Sequence, residues 1–520
     1  SVRAADDSDL LAGEVAGGRQ TDRIYLTGAF SVGAHGESLT LHSPLRISAR
    51  KGELVMAVTL PVESYVERVV ASESGPADTL ESMKALAIVV RSFALHQRHG
   101  HADYDQCDST HCQLLHWAKG YERNQPAHVA TLSTTGETLW FHGARAEAWF
   151  HQNCGGRTAS PNEVWSSPGP GRMEPRGGMP WLMSRADPFC TANGTREWSA
   201  RLSLSDLTAA LAAAGLAQPG WKSLSVARRG ESGRAVSLMV GSAQVSAEDF
   251  RLAVGRAMGW NKILSTWFEV SQQGDEFLFH GRGSGHGVGL CQAGAAAMSA
   301  LGRDSSKILA QYFPGATVAD QATGISWQSL RGEGFVLQTI GSADSAYLPQ
   351  LAEALAGAES RSGLPGDATI TVRAFRSTPA FRDATLAPGW VAAFTEGSWI
   401  ATQPLATLAA RKLLVPVLRH EFLHALVETH AAPNAPLWLR EGLVEAWSDI
   451  GVAGDRGPQP VLKLDEVEVA LAGTASEAQS KAGHRAAGWY AQRLLDHYGR
   501  EQVLDWLHSG LSPAALASVR

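Results

Sequence analysis

Apolar and polar residues alternate along the first part of the chain. Over residues 23–60 the stretches RIYLTGAF, SLTLHS, LRISAR and ELVMAVTL read as short strands. The spacing turns helical over 79–96, where Asp78 and Glu81 stand three residues apart like a capping box. Strand patterns return across 131–150 (ETLWFHG, AEAWFHQ), and the Pro/Gly-rich 167–180 reads as a loop. Helices are expected over 205–214, 246–258, 292–301 and 305–312. Strands are expected at SLSVARR and AVSLMVG, and 276–290 runs from a strand into a Gly-rich segment.

After a weak linker at 319–324 the pattern changes. A strand (GFVLQTI), a helix over 346–359, a strand (TITVRAF) and two short strands (WVAAF, WIATQ) precede a mostly helical stretch from Pro404. This predicts an α+β protein in two parts, 1–325 and 326–520, without a fixed-period repeat.

Composition removes some alternatives. Of 520 residues 44% are apolar and 18% charged, which excludes wholesale disorder and allows several cores. With 45 Lys and Arg against 51 Asp and Glu the net charge is −6, so no cationic surplus exists to hold a nucleic acid. No apolar run approaches the ~18 residues of a membrane span. The chain opens on Ser1 without a signal-like segment, as a mature exported protein or a trimmed piece would. Sixteen Trp against eight Tyr would suit sugar platforms, although core packing accounts for most of them.

The most specific pattern is HEFLH at 420–424. On a helix, positions i and i+4 share a face, so His420 and His424 can reach one Zn²⁺, with Glu421 beside them to take a proton. Glu441, 17 residues after His424 in WLREGLVEAW, can supply an oxygen ligand. Glu445 is one turn further on, placed to accept a hydrogen bond from a ligand histidine. The bland alternative is that both Glu residues line a solvated helix face.

This part resembles the small gluzincins, the minigluzincin or peptidase-MA-like group, whose HExxH is followed by a Trp-apolar-x-Glu-Gly-apolar-Ala-Glu run. In WLREGLVEAW, Val444 and Ala446 fall in apolar slots. The resemblance, over about 328–520, implies His420, His424 and Glu441 as zinc ligands and Glu421 as general base. It further implies a strand at 390–394 or 398–402 as the edge that pairs with a peptide, and Tyr490 or His484 as transition-state donor. A buried structural role is the alternative for each donor.

Four features mark the N-terminal half. Lys84 and Arg91, two turns apart on an apolar helix, need partners if buried, and a carboxylate such as Glu73 would serve. The alternative is a purely structural ion network. The run HGHADYDQCDSTHC offers His101, Cys107, His111 and Cys112 as an N₂S₂ zinc set, with His99 or His116 able to replace one ligand. A disulfide or free thiols remain open. NCGGRT, with Cys190 36 residues beyond Cys154, reads as a Cys154–Cys190 disulfide in an oxidising compartment. In GRGSGHGVGLCQAGA, His286 is either a substrate contact or a core histidine, and Cys291 is left over.

In order, the segments LPVESYVERVVASE, KALAIVVRSFAL, CDSTHCQ, CGGRT, GRGSGHGVGLCQAGA and ILAQYFPGA resemble the SpoIID/LytB family over about 24–318. The family implies extracytoplasmic peptidoglycan work, either as a lytic transglycosylase or as an amidase enhancer. It implies Glu73 as catalytic acid/base, Lys84 and Arg91 orienting it or holding glycan, and His286 and Thr158 as substrate contacts. The partners implied are glycan strands, stem peptides and a cell-wall amidase. Ser-Gly-Pro after Glu73 departs from the family pattern and leaves the loop geometry and substrate open.

Overall fold

The computed structural model describes residues 2–4, 9–11, 23–27, 30–34, 37–41, 43–50, 53–96, 101, 104–117, 126–165, 178–192, 194–366, 369–385, 387, 391–448, 462–471 and 477–511. Most of the expected 167–180 loop, His99 and Trp390 lie outside them. The chain divides into two compact units, Ser1–Gly324 and Ile325–Arg520, each mixing helices with sheets in an α+β arrangement.

In the first unit, Arg23–Leu26, Leu45–Arg50 and Glu53–Val58 pair as an antiparallel sheet, with Leu45–Arg50 in the middle. A hydrophobic core follows, built on the helix Leu80–His96, whose residues from Ala85 to Val90 are all buried. Helix Val62–Glu73 packs Val66, Val69 and Val70 into the same core. The expected capping box does not form. Ser82 Oγ accepts the Thr79 N–H at 2.9 Å, and Glu81 turns instead to Lys84 and to the Ser305 N–H. The strand expected across 131–150 is shorter than the pattern suggested: Pro126–Ser133 is a helix, started by its proline, and Glu137–Phe141 is the strand.

Phe150–His151 lies parallel to Leu290–Cys291, which brings the CGG segment against the Gly-rich segment. Gly289 is required there: its φ is +76°, and a Cβ would collide with the Trp149 carbonyl oxygen. Between these segments, residues 197–282 form two three-stranded antiparallel sheets and the helices Leu204–Ala213 and Ala247–Met258 around a separate core that includes Phe250, Phe268, Phe277 and Phe279. Side-chain caps start both helices, Ser203 accepting from the Asp206 N–H and Ser246 from the Asp249 N–H.

The second unit holds a five-stranded mixed sheet ordered Gln328–Arg331, Phe335–Thr339, Ile370–Ala374, Trp399–Thr402, Ala393–Glu396. Helices Leu348–Ser362 and Leu414–His430 pack together, burying Leu418, Phe422 and Leu426. Each such side chain contributes ~1.5–3 kcal/mol. Helix Leu437–Trp447 lies on the long Glu477–Ser509 helix, which kinks at Gly499. Gly442 allows that approach, because a Cβ there would strike the Ala487 carbonyl. Among the described residues no helix is long and apolar enough to cross a membrane.

Candidate functional site

Helix Val62–Glu73 carries Glu63, Glu67 and Glu73. Arg91 is fully buried, and its Nε and Nη2 donate to the two Glu63 oxygens at 2.9 and 2.5 Å. The expected Glu73 partner is therefore corrected to Glu63, which stands on the buried face with Val66 and Val70. Lys84 pairs with Glu81 at 2.7 Å, not with Glu73. Glu67 meets His128 Nδ1 at 3.0 Å. Arg91 and Lys84 are thus committed to structural pairs. Glu73 ends the helix partly exposed, and its backbone oxygen accepts the Gln292 side-chain amide at 3.1 Å.

The loop that carries the Cys/His run docks along this same helix. Tyr65 Oη donates to Gln113 Oε1 at 2.8 Å, the His116 N–H donates to Ser72 Oγ at 2.8 Å, and Arg68 Nη1 donates to the Trp117 carbonyl at 3.3 Å. Burial pushes the Tyr65 hydroxyl well up, with the charges of Cys112, Cys107 and Glu73 adding to it. His101, Cys107, His111 and Cys112 place one donor atom each within 4.8 Å of the others. His101 Nε2 is 3.2 Å from Cys112 Sγ, and His111 Nδ1 lies 3.8 and 3.7 Å from the two sulfurs. A hydrogen bond from Cys112 lowers the Cys107 thiol, and the same contact raises the Cys112 thiol. The donor set fits a tetrahedral zinc. His116 joins through its backbone only.

The expected Cys154–Cys190 disulfide is not present. All five cysteines are thiols, and Cys154, Cys190 and Cys291 gather around Asp187. The pairing of Phe150–His151 with Leu290–Cys291 brings the third sulfur to the other two, a contact 137 residues apart in sequence. Thr158 is buried, its hydroxyl accepting the Arg185 N–H at 3.1 Å. His286 is partly buried between Trp165 and His151, with ring centroids 5.4 and 5.7 Å away. Its Nδ1 accepts the Val288 N–H at 3.1 Å, and burial lowers it to about 4, so the imidazole is neutral.

In the second unit His420 and His424 turn their Nε2 atoms toward each other at 3.1 Å. Two imidazoles on one tetrahedral zinc stand about 3.3 Å apart, so the pair fits that ion. Glu441 Oε2 lies 3.9 Å from His424 and 3.5 Å from His484. Burial raises the Glu421 carboxyl, and Thr395 Oγ1 donates to it at 2.6 Å. Thr395 sits on Ala393–Glu396, the edge strand. Trp399–Thr402, the other expected edge, is interior and buried.

Tyr490 does not face the histidines. Its hydroxyl donates to the Leu462 carbonyl at 3.1 Å and its ring packs on Trp438. His484, the other expected donor, lies 3.4 Å from Glu445 and 3.5 Å from Glu441. The residue holding His420 Nδ1 is Ser448, at 3.0 Å, and not Glu445. The sequence offered no signal for Ser448 or Thr395 beyond a position after one helix and on one strand.

A family described as Stage II sporulation protein matches residues 50–141, and one described as a domain of unknown function matches 190–289. An uncharacterized protein of Brachyspira hyodysenteriae is 26% identical over 271 residues, covering 51% of this chain and 69% of the relative. The amidase enhancer of Bacillus subtilis is 25% identical over 289 residues, 48% of this chain but only 39% of the relative's length. Stage II sporulation protein D of Bacillus subtilis is 24% identical over 294 residues, covering 54% and 80%. Residues 50–141 thus match a SpoIID family domain.

Proposed function

We propose that the protein works outside the cytoplasm on peptidoglycan, its first unit cleaving glycan strands as a lytic transglycosylase and its second acting as a zinc peptidase. The observation that carries the first part is the position of Glu73. It is partly exposed at the end of a helix whose other two acids are committed to Arg91 and His128. The loop 104–117 docks along that helix, and Gln292 of the Gly-rich segment holds its last carbonyl.

In the proposed reaction the Glu73 carboxyl protonates the glycosidic oxygen. The sugar's own 6-hydroxyl attacks C1, the old C–O bond breaks, and the hydroxyl proton returns to Glu73. One carboxylate suffices, in contrast to the carboxylate pair of the hydrolases. A second reading, a glycan-binding stimulator of an amidase, draws on the likeness to the amidase enhancer. Incubating glycan strands stripped of peptides with wild type and Glu73→Gln separates them: 1,6-anhydro ends with wild type alone support cleavage, and no new ends with either favours the stimulator.

In the second unit, His420, His424 and Glu441 would hold zinc, which when bound supplies Lewis-acid polarisation of a peptide carbonyl. Glu421, aimed by Thr395, moves the proton. His484, beside Glu441 and Glu445, would donate to the developing negative charge. Ala393–Glu396, last in the order of the described strands, would pair with an extended peptide. A metal-free or docking-only second unit would release no peptide and lose no zinc in a His420→Ala/His424→Ala variant.

A further inference from the structure

We propose that Cys154, Cys190, Cys291 and Asp187 form a separate, fully buried zinc site. Their four donor atoms lie within 4.8 Å of one another. Ligands on one tetrahedral zinc, at ~2.3 Å for sulfur and ~2.0 Å for oxygen, stand about 3.5–3.8 Å apart, so only a small contraction is needed. Exposure is 0% for Cys154, Asp187 and Cys291 and 6% for Cys190.

The surroundings are polar and not those of a plain apolar core: the Cys154 thiol donates to Asp187 Oδ2 and the Cys190 thiol to Asn153 Oδ1, each at 3.2 Å. The Cys154 and Gly294 N–H groups donate to Cys291 Sγ at 3.2 and 3.4 Å, and the Gly156 N–H donates to Cys154 Sγ at 3.4 Å. Asp187 is aimed by Tyr312 Oη at 2.8 Å and by the Cys190 N–H at 3.1 Å. Such orienting bonds to a carboxylate accompany metal ligation. Gly294 leaves the room for this: a Cβ there would collide with the Tyr312 hydroxyl and the Asp187 carboxylate.

The charges balance as follows. Three thiols lose three protons to solvent, and Zn²⁺ with three thiolates and one carboxylate leaves a net charge of −2. The buried Arg234 supplies a neighbouring cation, donating to the Cys154 carbonyl at 3.0 Å. The site ties together the CGG segment, the turn after Asp187 and the start of the Gln292–Ala300 helix, whose Gln292 reaches Glu73.

The test uses the full-length chain with Cys107→Ser and Cys112→Ser, loaded with Co²⁺. The only remaining thiols are then Cys154, Cys190 and Cys291, and the histidine site of the second unit has no sulfur. A near-ultraviolet thiolate-to-cobalt band, titrating to one equivalent and displaced by Zn²⁺, is expected. Three titratable thiols with no band, or a Cys154–Cys190 disulfide by mass spectrometry, would overturn the proposal. Should that variant not fold, wild type and Cys190→Ser are compared by zinc content: a loss of one equivalent per chain supports the site, and unchanged content refutes it.

Discussion

The Tyr65 hydroxyl donates to the Gln113 side-chain oxygen at 2.8 Å, fastening the Cys/His loop to the helix that ends in Glu73. Removing it by Tyr65→Phe should cost about 1 kcal/mol of first-unit stability. Gln113→Ala should cost a similar amount, and the double variant little more, because both remove one bond. Denaturant unfolding of the three variants checks this; additive losses would mean the two residues act separately.

Arg91 and Lys84, both expected near the catalytic acid, should behave very differently. Arg91→Leu leaves the Glu63 carboxylate buried without its partner and should destabilise the first unit by ~3–5 kcal/mol. Lys84→Ala breaks a part-exposed pair at a helix i,i+3 spacing and should change stability by less than about 1 kcal/mol. Thermal unfolding of each distinguishes them, and equal losses would contradict the assigned partners.

Glu147 is 6% exposed, and burial lifts its carboxyl to about 7. Its folded value lies above the unfolded one, so across the window between about 4.5 and 7 the folded state binds more protons. Stability therefore falls as pH rises through that window, by up to about 3 kcal/mol from this group. Glu147→Gln should flatten the slope and leave the variant more stable than wild type above pH 7. Parallel pH–stability curves for the two proteins would rule this out.

Ser448 and Tyr490 part company in the second unit. Ser448→Ala removes the group beside His420 Nδ1 and should weaken zinc binding ~10–100-fold. Tyr490→Phe removes a bond to the Leu462 carbonyl and should cost about 1 kcal/mol of stability with zinc affinity unchanged. Competition with a chromophoric chelator measures the affinities. A zinc defect in Tyr490→Phe would return that residue to the site.

Local chemistry was legible and non-local chemistry was not. His420, His424 and Glu421 follow from helical spacing alone, and Cys107, His111 and Cys112 sit within one short loop. Glu63 could have been chosen over Glu73 as the partner of Arg91, since it precedes Val66 and Val70 by three and seven residues on one apolar face. The cluster around Asp187 depends on a parallel pairing between segments far apart in sequence, which no spacing rule reveals. Sequence spacing predicts the 154–190 pair, but the third sulfur changes what the pair is for. The short helix Pro126–Ser133 was hidden because its two turns carry no apolar stripe of their own.

The central claim is that Glu73 drives cleavage without water. Peptide-free glycan strands digested in ¹⁸O-enriched water measure it most directly. The account predicts 1,6-anhydro ends with no ¹⁸O, absent with Glu73→Gln. Reducing ends carrying one ¹⁸O, or no cleavage by a correctly folded wild type, would contradict it.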